Sequence, residues 1–180
     1  MTTTTTGKTY GIDAAHTTAE FVVRHMMIAK VRGRFTSVSG TVVVPEGSNL
    51  PSSIEVAIDP ASIDTREEQR DGHLKSPDFL DVATFPQITF TSTRVEGSGD
   101  SFTVYGNLTV HGTTREVALE TTFEGRGSDP WGNERIGYEA HAKISRKEFG
   151  LEWNQALETG GVLVGDEVKI EINAEAIAQK

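Results

Sequence analysis

Apolar side chains recur at every second position in segment after segment of this chain, and a period of two is the signature of half-buried strands. Phe21, Val23 and His25 alternate with Val22 and Arg24; Ile54, Val56 and Ile58 alternate with Ser53, Glu55 and Ala57; Ile88 and Phe90 alternate with Thr89 and Thr91. Phe102, Val104, Gly106, Leu108 and Val110 share one parity, as do Val117, Leu119, Thr121 and Phe123. Two more runs follow over residues 136–144 and 168–176. The opposite parity carries mostly Thr, Ser, Glu, Lys and Arg, so each strand has a dry face and a wet one. Connections such as EGSGDS (Glu96–Ser101) and GRGSDPWGNE (Gly125–Glu134) are rich in residues that tolerate positive φ, as hairpin turns require. Sequential antiparallel strands joined by such turns predict an all-β fold, an extended up-and-down barrel of about eight strands.

A length of 180 residues fits one domain, and no stretch is biased enough to be a linker. The threonine-rich start predicts a loose tail over residues 1–9 and a barrel domain over 10–180. One segment leaves the β pattern. PASIDTREEQRDGHLKSPDFLD (Pro60–Asp81) has no alternation, and Ser62 and Asp64 are candidate N-caps before Arg66–Leu74. It predicts a helical excursion near residues 60–76, two or three turns long, that ends near Ser76-Pro77 because the residue before proline disfavours the helical region. Such an excursion between two strands of a barrel is a candidate lid.

Composition removes several chemistries. The chain has no cysteine, which excludes disulfides, thiolate metal sites and cysteine nucleophiles. A formal net charge of −9 opposes binding to nucleic acid or to an anionic membrane face over long range. No run approaches the roughly 20 apolar residues of a membrane-spanning helix. MTTTTTGKTY lacks the basic start and apolar middle of a secretory signal, which leads to the expectation of a cytoplasmic protein. The five histidines lie far apart in sequence, with no HEXXH, and there is no GXSXG, P-loop or Rossmann glycine pattern. No catalytic residue, metal ligand or cofactor is therefore assigned.

The interior of a small barrel either fills with side chains or holds one ligand. Here the dry parity mixes Phe21, Phe35, Phe90, Phe102 and Phe123 with Gly106, Ala140, Ala142 and Ala174, a mixture that fits a filled taper or an open tube. Parity assigns Phe21, Val23, Phe35, Ile88, Phe90, Phe102, Val104 and Leu108 to the inner wall, with Phe79 and Phe85 closing the excursion over it. Three polar clusters stand out: HTTAEFVVRH (His16–His25), RDGHL (Arg70–Leu74) and ISRKEFG (Ile144–Gly150). Either His25 is a hydrogen-bonded core histidine and Arg70 a local partner of Asp71, or His25, Arg70, His73 and Arg146 converge at one mouth to meet a polar head group.

These residues carry a resemblance. YGIDAAHTTAEFVVRH, KVRGRF with GTV, the SIDT…RDGHLKSPDFLDVATFPQITFTST block, GNLTVHGTTREVALE and ISRKEFG together resemble the YceI-like family of polyisoprenoid-binding, lipocalin-like proteins from about Tyr10 to the last strand. The central block is the most specific part. Tyr10 stands where the family typically has Trp, and Thr17 where Ser commonly follows His. The resemblance implies a hollow, extended eight-stranded barrel, non-enzymatic, whose apolar tunnel takes a long-chain isoprenoid or a similar fatty amphiphile, with the polar cluster at its mouth. Two other classes stay in view: an enzyme acting on such a chain with His25 or His73 as general base, and a filled barrel serving as a stress-response scaffold. Exposed barrel walls could also support a homodimer.

Overall fold

Three neighbouring strands of this barrel are interrupted at one level, and the rest of the architecture follows from that. The computed structural model describes residues 7–158 and 161–179. Eleven strands occur among them: β1 (Gly7–Ile12), β2 (Thr18–His25), β3 (Ala29–Phe35), β4 (Val38–Pro45), β5 (Ser53–Ile58), β6 (Ile63–Asp64), β7 (Ile88–Ser98), β8 (Ser101–Val110), β9 (Thr113–Ser128), β10 (Glu134–Ser145) and β11 (Val164–Ala178). The only α-helix among the described residues is α1 (Glu68–Lys75). The ladder runs β1-β4-β5-β7-β8-β9-β10-β11, all antiparallel, and β1 returns to pair with β11, so the sheet closes.

The remaining strands extend the same wall. β11 pairs with β2 over Val164–Asn173 and with β1 over Ala176–Ala178, so β1 and β2 are two halves of one strand position. In the same way β3 leads into β4 and β5 into β6. Asp13 and Asp59 each accept from the backbone N–H two residues on and start short 3-10 turns at Ala14–His16 and Pro60–Ser62. An aspartate in such a place competes with the ladder for its own backbone, which is why the strand stops there. The result is eight long strand positions in chain order, the up-and-down barrel that the alternation predicts.

Two boundaries differ from the sequence reading. Pairing of β1 with β4 begins at Gly7 opposite Pro45, ahead of the expected start at Tyr10; residues 1–6 of the expected tail lie outside the described residues. The helix begins later than expected. Its N-cap is Glu67, whose carboxylate accepts from the N–H groups of Gln69 and Arg70, and neither Ser62 nor Asp64. Asp64 is instead occupied by the Arg66 N–H at 2.9 Å, in a turn that puts Arg66 at φ 66°. The helix ends at Ser76, before Pro77, as the proline requires.

One end of the barrel is sealed by packing. Tyr10, Val44, Phe102, Ile136 and Ala176 are buried there in one cluster. The Tyr10 hydroxyl donates to Glu134 Oε1 at 2.9 Å, which satisfies the one polar atom that this ring brings into the floor. Beside it, Arg135 donates to Asp13 (2.8 Å), Asp129 (2.8 Å) and Glu175 (3.0 Å). Asp13, His16 and Glu175 have a spacing that could hold a metal ion, but the Arg135 guanidinium already bridges the two carboxylates.

This cluster makes the closed end acid-sensitive. Hydrogen bonds from Arg135 and His16 lower the Asp13 carboxyl from its usual range. Burial alone would raise Asp129, but donors from Asn133, Arg135 and Trp131 hold it well below the usual carboxylate range. Both groups take up protons more readily unfolded than folded, so their contribution is present above the ordinary carboxylate pKa of about 4 and is lost as pH falls through the depressed folded values. Melting temperature is expected to fall steeply below about pH 4. Arg135→Met should lower it at neutral pH and make the acid limb shallower; an acid limb unchanged in R135M would assign the sensitivity elsewhere.

Candidate binding cavity

Above the floor the barrel is hollow. A cavity of about 410 Å³ runs from Tyr138, Pro51 and Ile54 at its lower end to Arg70, His73 and Trp153 at the other. Engineered pockets that hold a benzene are about 150 Å³, and drug-sized sites begin near 300 Å³, so this one has room for a sizeable ligand. Along β11 its wall extends from Val164 to Ala174. At about 3.3 Å per residue and a tilt of about 40°, that is roughly 25 Å of barrel axis. The shape is a tube.

Why the tube stays open is visible in how the aromatic rings lie. Phe21 of β2 stands opposite Gly33 of β3, and its ring covers that glycine so closely that a Cβ there would sit 2.3 Å from Cζ. Phe90 does the same to Gly106 of β8, with Cζ 2.4 Å from the would-be Cβ. A missing side chain lets each large ring lie against the wall instead of across the lumen. Gly106 thus opens the tube by bedding the Phe90 ring.

The apolar residues assigned to the tunnel, eight by parity and Phe79 and Phe85 as its cover, fall in two groups. Phe21, Val23, Phe35, Phe79, Ile88, Phe90, Val104 and Leu108 all line the cavity. Phe102 and Phe85 do not. Phe102 has the inward parity but lies in the floor, edge-on to Tyr138 at 6.1 Å between ring centroids. Phe85 packs on His111 at 4.7 Å and covers Gly112 in the β8–β9 turn, so it anchors the end of the excursion instead of closing it. The excursion does cover the open end, through Arg70, His73, Leu74, Phe79 and Leu80.

All four polar residues named from sequence border that end, in different roles. Arg146 is 4% exposed and donates to the carbonyls of Leu151 (2.6 Å), Gly165 (2.8 Å), Trp153 (2.9 Å) and Val164 (3.3 Å). Burial lowers its guanidinium from the ordinary value, and Asp166 at 3.8 Å works against that. Arg70 donates to the hydroxyl and carbonyl of Thr65, which precedes the Glu67 N-cap of α1. His73 Nε2 lies 2.9 Å from Asp78, and its ring meets Trp153 edge-on at 4.6 Å and Phe79 at 5.1 Å. The His25 ring has no hydrogen-bond partner among the described residues and is half-buried at the end of β2.

Sequence reasoning missed Trp153, Leu151 and Leu163, which reach the mouth from the segment between β10 and β11. That segment has no alternation, so parity could not place them; a Trp three residues after Gly150 was the available signal.

Closed antiparallel strands around an apolar tube with polar groups gathered at one end define a lipocalin-like barrel with a ligand-sized cavity. The chain belongs to the YceI-like family, whose domain model matches residues 10–176. It is 38% identical over 173 residues to Protein YceI of Salmonella newport, covering 95% of this chain and 87% of that protein. The crystal structure of the Campylobacter jejuni YCEI protein superposes with a TM-score of 0.76 at 26% identity, over 87% of this chain and 90% of the other. A polyisoprenoid binding domain from Saccharophagus degradans has the same fold, with a TM-score of 0.64 at 18% identity over 94% of this chain and 98% of that one.

Proposed function

We propose that this protein is a non-enzymatic carrier that shelters the tail of a long-chain isoprenoid or similar amphiphilic lipid in the barrel. The observation that carries this reading is the tube itself: about 410 Å³, walled mainly by Val, Ile, Leu and Phe side chains, with His25, Arg70, His73 and Arg146 at one end. Each methylene moved from water into such a tube is worth about 0.8 kcal/mol, so a long chain is held without any directed polar contact. Selectivity then rests on tube length and on the few groups at the entrance. The Saccharophagus degradans domain, a polyisoprenoid binding domain by name, shares the fold and is consistent with the same use.

The entrance favours an uncharged head. Two of the three guanidiniums that line the cavity already serve the protein backbone, Arg146 through four carbonyls and Arg70 through Thr65, while the third, Arg24, is exposed on β2. A diphosphate would meet no free guanidinium from Arg70 or Arg146 and a chain of net charge −9. The His25 imidazole is available to a quinone, phenol, amide or alcohol. Organic extraction of the purified protein followed by mass spectrometry should release such a lipid. In titrations at low salt, a polyprenyl alcohol should bind at least about tenfold more tightly than the diphosphate of the same chain. Equal affinities would refute the head-group preference, and failure to bind either would refute the carrier reading.

A further inference from the structure

The hairpin that joins β2 to β3 at the cavity mouth ends in three consecutive apolar residues turned to solvent. Met26 is 42% exposed, Met27 58% and Ile28 81%. Met26 and Met27 occupy the two central turn positions at φ 53° and 61°, and the Ile28 N–H donates to the His25 carbonyl at 3.3 Å. A turn with positive φ at both central positions favours Asn-Gly or Asp-Gly, and large side chains there are strained. Two methionines at the most exposed point of the turn thus go against both local backbone chemistry and hydration. A local rule broken twice at one place marks a function for the side chains.

The tip is held in position. The Met26 N–H donates to the Leu163 carbonyl at 2.7 Å, and Met27 Sδ lies over Gly161, where a Cβ would come within 2.3 Å of it. Val162, also exposed, adjoins the same spot. One step below the tip, Arg24 and Lys30 face each other across the ladder, both exposed and without an ion-pair partner among the described residues. His25, between Arg24 and the tip, lines the cavity. The apolar point, the entrance residue His25 and a cationic collar of Arg24 and Lys30 therefore follow one another along the hairpin.

We infer that this hairpin is a membrane-docking device that inserts Met26, Met27 and Ile28 into a bilayer surface and sets Arg24 and Lys30 against lipid phosphates, so that cargo enters from the membrane beside His25. The inference rests on the carrier reading. A bilayer fits better than a protein partner because stable protein interfaces bury upwards of about 1,000 Å², whereas a narrow convex tip needs a medium that closes around it. Unbranched methionines suit a fluid surface. The collar supplies local attraction within about 10 Å, which matters on a chain whose overall charge repels anionic lipid at longer range.

The test uses flotation of the full chain with vesicles of equal parts phosphatidylcholine and phosphatidylglycerol, alongside binding of a fluorescent long-chain alcohol probe in vesicle-free buffer. Wild type should float. Met26→Asn with Met27→Gly, which restores the favoured turn residues, should melt at a temperature no lower than wild type yet lose vesicle binding at least roughly tenfold, as should Ile28→Asp. Trp131→Asp, which removes the 79% exposed tryptophan of the β9–β10 connection at the sealed end, should float as wild type does. All variants should take up the probe equally. A wild type that binds the probe but never floats, or tip variants that float unchanged, would overturn the docking inference and leave the carrier reading standing. Loss of a dimer in the tip variants, with flotation unaffected, would assign the tip to a second copy of the chain. Failure of every form to bind the probe would sink the carrier reading itself.

Discussion

Ala140→Phe is expected to cut affinity for a long-chain ligand by roughly 200-fold while leaving the fold intact. Ala140 lies on β10 at the cavity wall, opposite Thr121 of β9 and Ile172 of β11, both of which also line the tube. A phenyl ring there projects into existing space, so it fills a void and does not overpack a core. If it excludes about four methylenes of the chain, the loss is about 3 kcal/mol at 0.8 kcal/mol per methylene. A short-chain analogue that remains in the upper part of the tube should lose far less. Changing Thr89 and Thr91 together, on the outer face of β7, should alter neither. Isothermal titration with a chain-length series reads all of this directly. If the A140F variant binds the long chain as wild type does, the tail does not pass Ala140, and the lower half of the tube is not used.

The faces of the strands were legible in the sequence because alternation is enforced one residue at a time. Every inward parity assignment on β2, β3, β7 and β8 points inward. Depth was not legible. Phe102 and Val104 have the same parity, yet one is floor and the other wall, and that difference is set by the register of distant strands and the level at which Tyr10 and Ile136 close the end. Nor does alternation tell how a ring is turned: Gly106 reads as a gap until Phe90 is found lying on it. The convergence of His25, Arg70, His73 and Arg146 at one end came from motif resemblance and strand-end positions. The tasks of Arg70 and Arg146 depend on backbone carbonyls, which every residue carries and no side-chain pattern marks.

Arg146 shows the consequence most sharply, and Arg146→Met is expected to destabilise the protein by about 3–5 kcal/mol. The methionine keeps an apolar stem but removes the donors that tie the Leu151 and Trp153 carbonyls of the mouth segment and the Val164 and Gly165 carbonyls of β11 together, although Asn154 Nδ2 still donates to Val164 at 2.8 Å. Carbonyls left buried without donors cost about 1–3 kcal/mol each, reduced where the segment loosens enough to admit water. For a domain of this size the melting temperature should fall by about 10 °C or more. Arg146→Lys should recover only part of it, since one ammonium cannot reproduce a planar fork aimed at separate acceptors. Trp153 and Leu163, carried by the same segment, would then lose their fixed places at the mouth, so cargo should dissociate faster. The competing role, a guanidinium that grips the head group, makes the opposite forecast: R146M would keep its melting temperature and lose affinity only for anionic heads. Thermal melts of R146M and R146K, paired with dissociation rates for a neutral and an anionic ligand of equal chain length, separate a clamp on the protein's own backbone from a clamp on the cargo.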